Sequence, residues 1–205
     1  MNVFAQDLPF DDPDYFFSTG LHPWHIGTVK LEECFRAIDQ AAMQKDMLAV
    51  GECGLDRAIK TDFALQEWCF KQQIAIAEKH DKPLIIHCVR AYSDLLQIKK
   101  ESKSGVLWII HGYHGNLETT LSLIKHEFYF SVGEQLLKDE SKHEIFRSIP
   151  IERLFLETDE SELSIDMIYL MAAQILKLDE KELNQIITNN FISVFGSEHL
   201  HSELL

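Results

Sequence analysis

No stretch of this 205-residue chain approaches the run of about 18 apolar residues that a membrane-spanning helix needs. Residues 1–10 lack the basic-then-apolar order of a secretory signal, so a cytoplasmic protein without a membrane partner is expected. Cationic side chains are scarce: 19 Lys and Arg stand against 33 Asp and Glu, a formal net charge of −14. That balance excludes a broad basic groove gripping a nucleic-acid backbone. It leaves room for a small metal-centred site, because a bound cation supplies its own positive field. The four cysteines, Cys34, Cys53, Cys69 and Cys88, form no CxxC pair. A zinc ribbon and a thioredoxin-type redox centre are therefore unsupported, and reduced, buried thiols are expected. There is also no Pro/Gly/Ser linker, low-complexity tract or internal repeat, which favours a single domain over residues 1–205.

Short apolar runs alternate with longer segments of helical character. Strands are expected at 16–21, 47–51, 83–87, 106–110, 128–132 and 153–157, with helices at 28–45, 61–80, 91–103, 116–125, 137–148, 165–176 and 182–195. Asn116 and Asp179 stand where helix caps belong. Runs such as Leu84-Ile85-Ile86 and Leu154-Phe155-Leu156 are wholly apolar, which suits a parallel sheet covered on both faces. Repeated β-α units define an α/β class. Periodicity leaves open whether the sheet closes into a barrel.

The position of the polar residues is more informative than their number. Four apolar runs end in Glu52, His87, His111 and Thr158-Asp159. Chains often turn polar on leaving a core, so one such residue means little. Four metal-ligand types at equivalent points, on the rim where ligands converge in parallel α/β folds, point to a metal site. The set suits Zn²⁺ or Mn²⁺, and its carboxylates suit Mg²⁺. Weaker candidates accompany them. His22 either lines a pocket or orders the turn before Pro23, and His114, on a glycine-flanked loop, either binds phosphate or is solvated. Arg90 either clamps an anion or forms a surface ion pair, and Glu134 is either a further ligand or a loop carboxylate. His25 reads as a helix-entry or surface residue, His80, His126 and His143 as solvent-facing, and His199 and His201 as tail residues.

Taken together, Gly20-Leu21-His22-Pro23-Trp24, Ala49-Val50-Gly51-Glu52-Cys53-Gly54-Leu55-Asp56, Pro83-Leu84-Ile85-Ile86-His87, Ile110-His111-Gly112-Tyr113-His114-Gly115 and Leu156-Glu157-Thr158-Asp159 closely resemble the TatD family. These are metal-dependent deoxyribonucleases on a distorted, amidohydrolase-type TIM barrel. The motifs keep family order from about Phe17 to Gly196, and Thr188-Asn189-Asn190-Phe191 resembles the family's last helix. The resemblance implies that Glu52 bridges two metal ions, that His87 and His111 are histidine ligands, and that Asp159 is a ligand which also orients or deprotonates the attacking water. It implies one or two divalent ions (Mg, Mn or Zn), with Asp159 and Glu52 catalytic and His22, His114 and Arg90 binding substrate. Arg90 lies three residues after His87, where the family's arginine lies two after.

Family members begin with a strand ending in His-x-His, which supplies two more ligands. Here that spacing occurs only at His199-Leu200-His201. Residues 1–6 resemble the segment following such a strand, so the TIM-barrel-like fold is expected to lack its first strand. DNA ends or short oligonucleotides are the expected substrates, with no protein partner predictable. A degenerate, non-catalytic binding module and a hydrolase of carboxyl esters or amides are the alternatives.

Overall fold

The computed structural model describes residues 1–4, 8 and 15–197. The chain divides into two compact units, Met1–Trp108 and Ile109–Leu205.

The first unit is built on four parallel strands, β1 (Asn2–Phe4), β2 (Phe17–Gly20), β3 (Met47–Asp56) and β4 (Leu84–Val89), each paired with the next. Helices α1 (Leu31–Ala41), α2 (Phe63–His80) and α3 (Tyr92–Ser102) follow β2, β3 and β4. In α1 the buried residues Cys34, Ile38 and Ala41 fall at helical spacing and form the face turned to the core. Asp62 caps α2 by accepting the Leu65 amide at 2.9 Å, and Asp81 ends it in the left-handed conformation. Three of these strands match the expected runs. The fourth, β1, was not among them, because three residues offer no readable alternation. Asn2–Phe4 pairs with Ser18–Gly20 and buries Val3.

A second difference bears on the chemistry. The run expected at 47–51 extends to Asp56, so Glu52 lies within β3 and not at its end. The register against β4 shifts between Val50 and Cys53, which sets Glu52 in an irregularity of the strand. Glycine makes this possible. Gly51 and Gly54 hold φ of 150° and 140°, and a Cβ on either would run into the Ile85 or His87 carbonyl of β4.

The second unit contains parallel β5 (Trp108–Ile110), β6 (Tyr129–Val132) and β7 (Leu154–Leu156), described here from Ile109 onward. Its helices are α4 (Leu117–Lys125), α5 (Glu134–Leu137), α6 (His143–Ser148), α7 (Ile165–Leu176) and α8 (Glu180–Phe195). Asn116 and Asp179 cap α4 and α8 as expected, accepting the Thr119 and Lys181 amides at 2.9 Å. The helix expected at 137–148 is two short ones. Asp139 accepts the Ser141 amide at 3.0 Å and starts a separate turn between them.

Candidate metal centres

In the first unit, Glu52 and His87 meet through β3 and β4: Glu52 Oε1 lies 3.2 Å from His87 Nδ1. The other ring nitrogen, Nε2, is 3.1 Å from Asp56 Oδ2. The buried Asp56 carboxylate can only accept there, so Nε2 carries a proton and Nδ1, the nitrogen turned toward Glu52, is the one open to a cation. Asp56 also accepts the Trp24 indole N–H at 2.8 Å and the Ala58 amide at 2.7 Å. Burial alone would raise its carboxyl pKa, but these bonds and that from His87 hold it below the ordinary value. Gln66 pins the Asp56 backbone, accepting from its amide at 2.8 Å and donating to its carbonyl at 3.1 Å.

His22 stands at the start of the turn Pro23–His25 and is 7% exposed. Its Nδ1 accepts the Trp24 amide at 3.2 Å, which puts the proton on Nε2, 3.4 Å from Glu52 Oε1. The ring is thus a donor that steadies the Glu52 carboxylate. Burial lowers its pKa, outweighing the opposing hydrogen bond to Glu52.

In the second unit, His111 follows β5 and Asp159 follows β7. His111 Nδ1 donates to Glu157 Oε2 at 2.9 Å, leaving Nε2 3.6 Å from Asp159 Oδ1. Glu157 also accepts the Gly112 amide at 2.7 Å and the Ser131 hydroxyl, so both its oxygens are hydrogen-bonded. The Asp159 side chain is 48% exposed and its backbone is left-handed, with φ of 47°. Glu157 and Asp159 line a cavity of about 380 Å³ together with Gly112, Gly133 and Ser161.

Two groups of donors therefore lie close enough to hold a cation: His22, Glu52 and His87 in one unit, His111, Glu157 and Asp159 in the other. Ligand atoms about 2.1 Å from one tetrahedral ion stand roughly 3.4 Å apart. The Glu52–His87 and His111–Asp159 separations of 3.2 and 3.6 Å bracket that value. In each pair a ring nitrogen faces a carboxylate, and a second carboxylate fixes the far side of the imidazole, as ligating histidines require. The donor set fits a divalent ion.

Of the weaker candidates, His114 is exposed with Nδ1 2.7 Å from the Gly112 carbonyl, and Arg90 is exposed just past β4 at φ of 54°. Glu134 takes hydrogen bonds from Lys138 and Ser161, which hold its carboxyl below the ordinary pKa. Three histidines expected to face solvent are engaged instead. His80 pairs with Asp39 at 2.8 Å, His126 donates to the Ser122 carbonyl at 2.8 Å and His143 to the Leu137 carbonyl at 2.9 Å. Carboxylate and carbonyl acceptors of this kind leave no trace in hydrophobic periodicity. His199 and His201 lie outside the described residues. Asp56 and Glu157, the two orienting carboxylates, were not among the expected site residues. Their only signal was a carboxylate four residues after Glu52 and another two before Asp159.

The arrangement of parallel strands and following helices has close counterparts among solved structures. The TatD homologue YjjV of Escherichia coli superposes with a TM-score of 0.80 at 22% identity, over 88% of this chain and 76% of that one. The fold is thus α/β and TIM-barrel-like. More particularly, the chain belongs to the TatD related DNase family, whose model matches residues 10–196. An uncharacterized metal-dependent hydrolase of Buchnera aphidicola is 29% identical over 203 residues, covering 88% of this chain and 77% of the relative. A 3'-5' ssDNA/RNA exonuclease TatD of Erwinia tasmaniensis is 32% identical over 165 residues, covering 76% of this chain and 62% of the relative. Among the described residues no helix is long and apolar enough to cross a membrane.

Proposed function

We propose that the chain, acting as one domain over residues 1–205, is a cytoplasmic metal-dependent hydrolase that cleaves phosphodiester bonds in DNA ends or short oligonucleotides. The observation that carries this reading is the pairing of an imidazole nitrogen with a carboxylate in both clusters, each imidazole backed by an orienting carboxylate. Glu52 with His87, and His111 with Asp159, would hold one divalent ion per pair (Zn²⁺, Mn²⁺ or Mg²⁺). Such an ion supplies an acidified water and a Lewis acid for the phosphoryl oxygen.

The remaining tasks fall to this chain's own groups. Asp159, half exposed beside the cavity, accepts the proton of the attacking water as general base. His22 donates to Glu52 and keeps its carboxylate aimed at His87. Asp56 and Glu157 hold His87 and His111 in the tautomers that present a lone pair. His114 and Arg90, both exposed, offset phosphate charge. The acidic chain makes few backbone contacts, so binding has a small salt slope. The name of the Erwinia relative, an ssDNA/RNA exonuclease, supports a nucleic-acid substrate.

Purified protein supplied with each metal in turn tests this, using a short single-stranded oligonucleotide, bis-p-nitrophenyl phosphate and p-nitrophenyl carboxyl esters. Cleavage of the phosphodiesters, abolished in Glu52→Gln and Asp159→Asn, is the expected result. Full activity in either variant, or preference for the carboxyl esters, overturns the assignment.

A further inference from the structure

Trp24 is 57% exposed, although a tryptophan side chain has the most to gain from burial. Its position is nonetheless tightly held. The indole N–H donates to Asp56 at 2.8 Å, the backbone amide donates to His22 Nδ1 at 3.2 Å, and the preceding Pro23 is buried. The ring centroid lies 5.0 Å from that of His22 and 6.0 Å from that of His87. Trp68, also on the surface at 46% exposure, lies on a helix and packs on Phe35 at 5.7 Å. Trp24 instead borders a metal-ligand pair, and the carboxylate that fixes its N–H also fixes His87.

An aromatic ring held rigid and left open offers a stacking face that loses little freedom when it is covered. The charge of the chain says which ligand needs one. With a net charge of −14, affinity for a nucleic-acid strand cannot come mainly from its phosphates. In this unit the exposed Arg90 offers one guanidinium to a phosphate, whereas Arg57 is already committed, donating to both Asp94 oxygens at 2.9 and 2.7 Å and lying over the Phe63 ring. Base stacking on an aromatic side chain is the uncharged alternative, and it tolerates any sequence.

We propose that Trp24 is the platform on which a nucleobase of the substrate strand stacks, so that the adjoining phosphate is delivered beside Glu52 and His87. This rests on the nucleic-acid reading given above and adds how the strand is held. It assigns Trp24 a binding role and Asp56 a positioning role, since Asp56 orders both the platform and the ligand.

Two fluorescein-labelled pentamers separate the possibilities: pentathymidylate, and a pentamer of the same backbone lacking every base. Dissociation constants are measured by anisotropy in EDTA, where cleavage cannot interfere, and KM for pentathymidylate is measured with Mn²⁺. Trp24→Ala should raise Kd and KM for pentathymidylate on the order of ten-fold, whereas Trp24→Phe, which keeps a stacking face, raises them less than about three-fold. The abasic pentamer should bind wild type and both variants alike. Equal affinity of wild type and Trp24→Ala for pentathymidylate overturns the proposal. So does an equal loss on the abasic pentamer, which would mean the ring acts only through Asp56. If the wild-type protein neither binds nor cleaves either pentamer, the nucleic-acid reading itself fails and the platform falls with it.

Discussion

Glu157 Oε2 accepts the Nδ1 hydrogen of His111 at 2.9 Å while Oε1 takes the Gly112 amide at 2.7 Å. The carboxylate is therefore hydrogen-bonded on both oxygens and orients the imidazole that faces Asp159. The same logic links Asp56 to His87 in the other unit, at 3.1 Å.

Glu157→Gln should lower divalent-metal affinity by roughly 10- to 100-fold, the usual cost of removing an orienting carboxylate. Calorimetric titration with Mn²⁺ or Zn²⁺ checks the affinity. The ¹⁵N shifts of His111 should report a mixture of tautomers in place of the single Nδ1–H form. Unchanged affinity would show that Glu157 is a hydrogen-bond brace for the loop and nothing more.

Gly54→Ala should destabilise the fold by at least about 2 kcal/mol. The residue holds φ of 140°, and the new methyl would meet the His87 carbonyl across β3 and β4. Urea denaturation measures the loss. Gly27→Ala is the control, because a Cβ there meets nothing within 4 Å.

Stability should fall as the pH drops below about 6.5, the ordinary histidine value, and His22 is one cause. Burial lowers its pKa in the folded chain, so below that pH the unfolded state takes up a proton the folded state resists. The contribution is present above the unfolded value and is lost as pH falls through the folded one. Protonation also removes the Nδ1 lone pair that accepts the Trp24 amide. Unfolding at about pH 7.5 and about pH 5.5 should show a smaller loss for His22→Gln than for wild type.

None of the four cysteines should react with a thiol reagent in the native state, and all four should react on unfolding. Each is a free, buried thiol, and reaction requires the thiolate. Burial pushes Cys34 and Cys69 up to about 11, Cys88 to about 12 and Cys53 higher still. A reagent colour change in native protein would contradict this.

Much of the architecture was legible along the chain. The apolar runs ending near Val50, Ile86, Ile110 and Leu156 marked four strands, and their composition marked the sheet as parallel. Glu52, His87, His111 and Asp159 stood out because ligand-type residues at repeated strand ends are uncommon. What the pattern misjudged was local. β1 is too short to show a period, the cap at Asp139 divides a segment that reads as one helix, and three histidines find carbonyl or carboxylate acceptors that leave no periodic trace.

Sequence by itself determined the parallel α/β class, the family and the residue types available to a cation, since all three follow from local patterns and their order along the chain. Tertiary structure decided which atoms of those residues are available. Whether His87 offers Nδ1 or Nε2 depends on Asp56, 31 positions earlier, and the His111 tautomer depends on Glu157, 46 positions later. Likewise His22 became a donor to Glu52 only because the Trp24 amide occupies its other nitrogen. A proton's place on an imidazole is set by the partner that folding brings to it, and strand pairing brings together partners that no sequence spacing reveals.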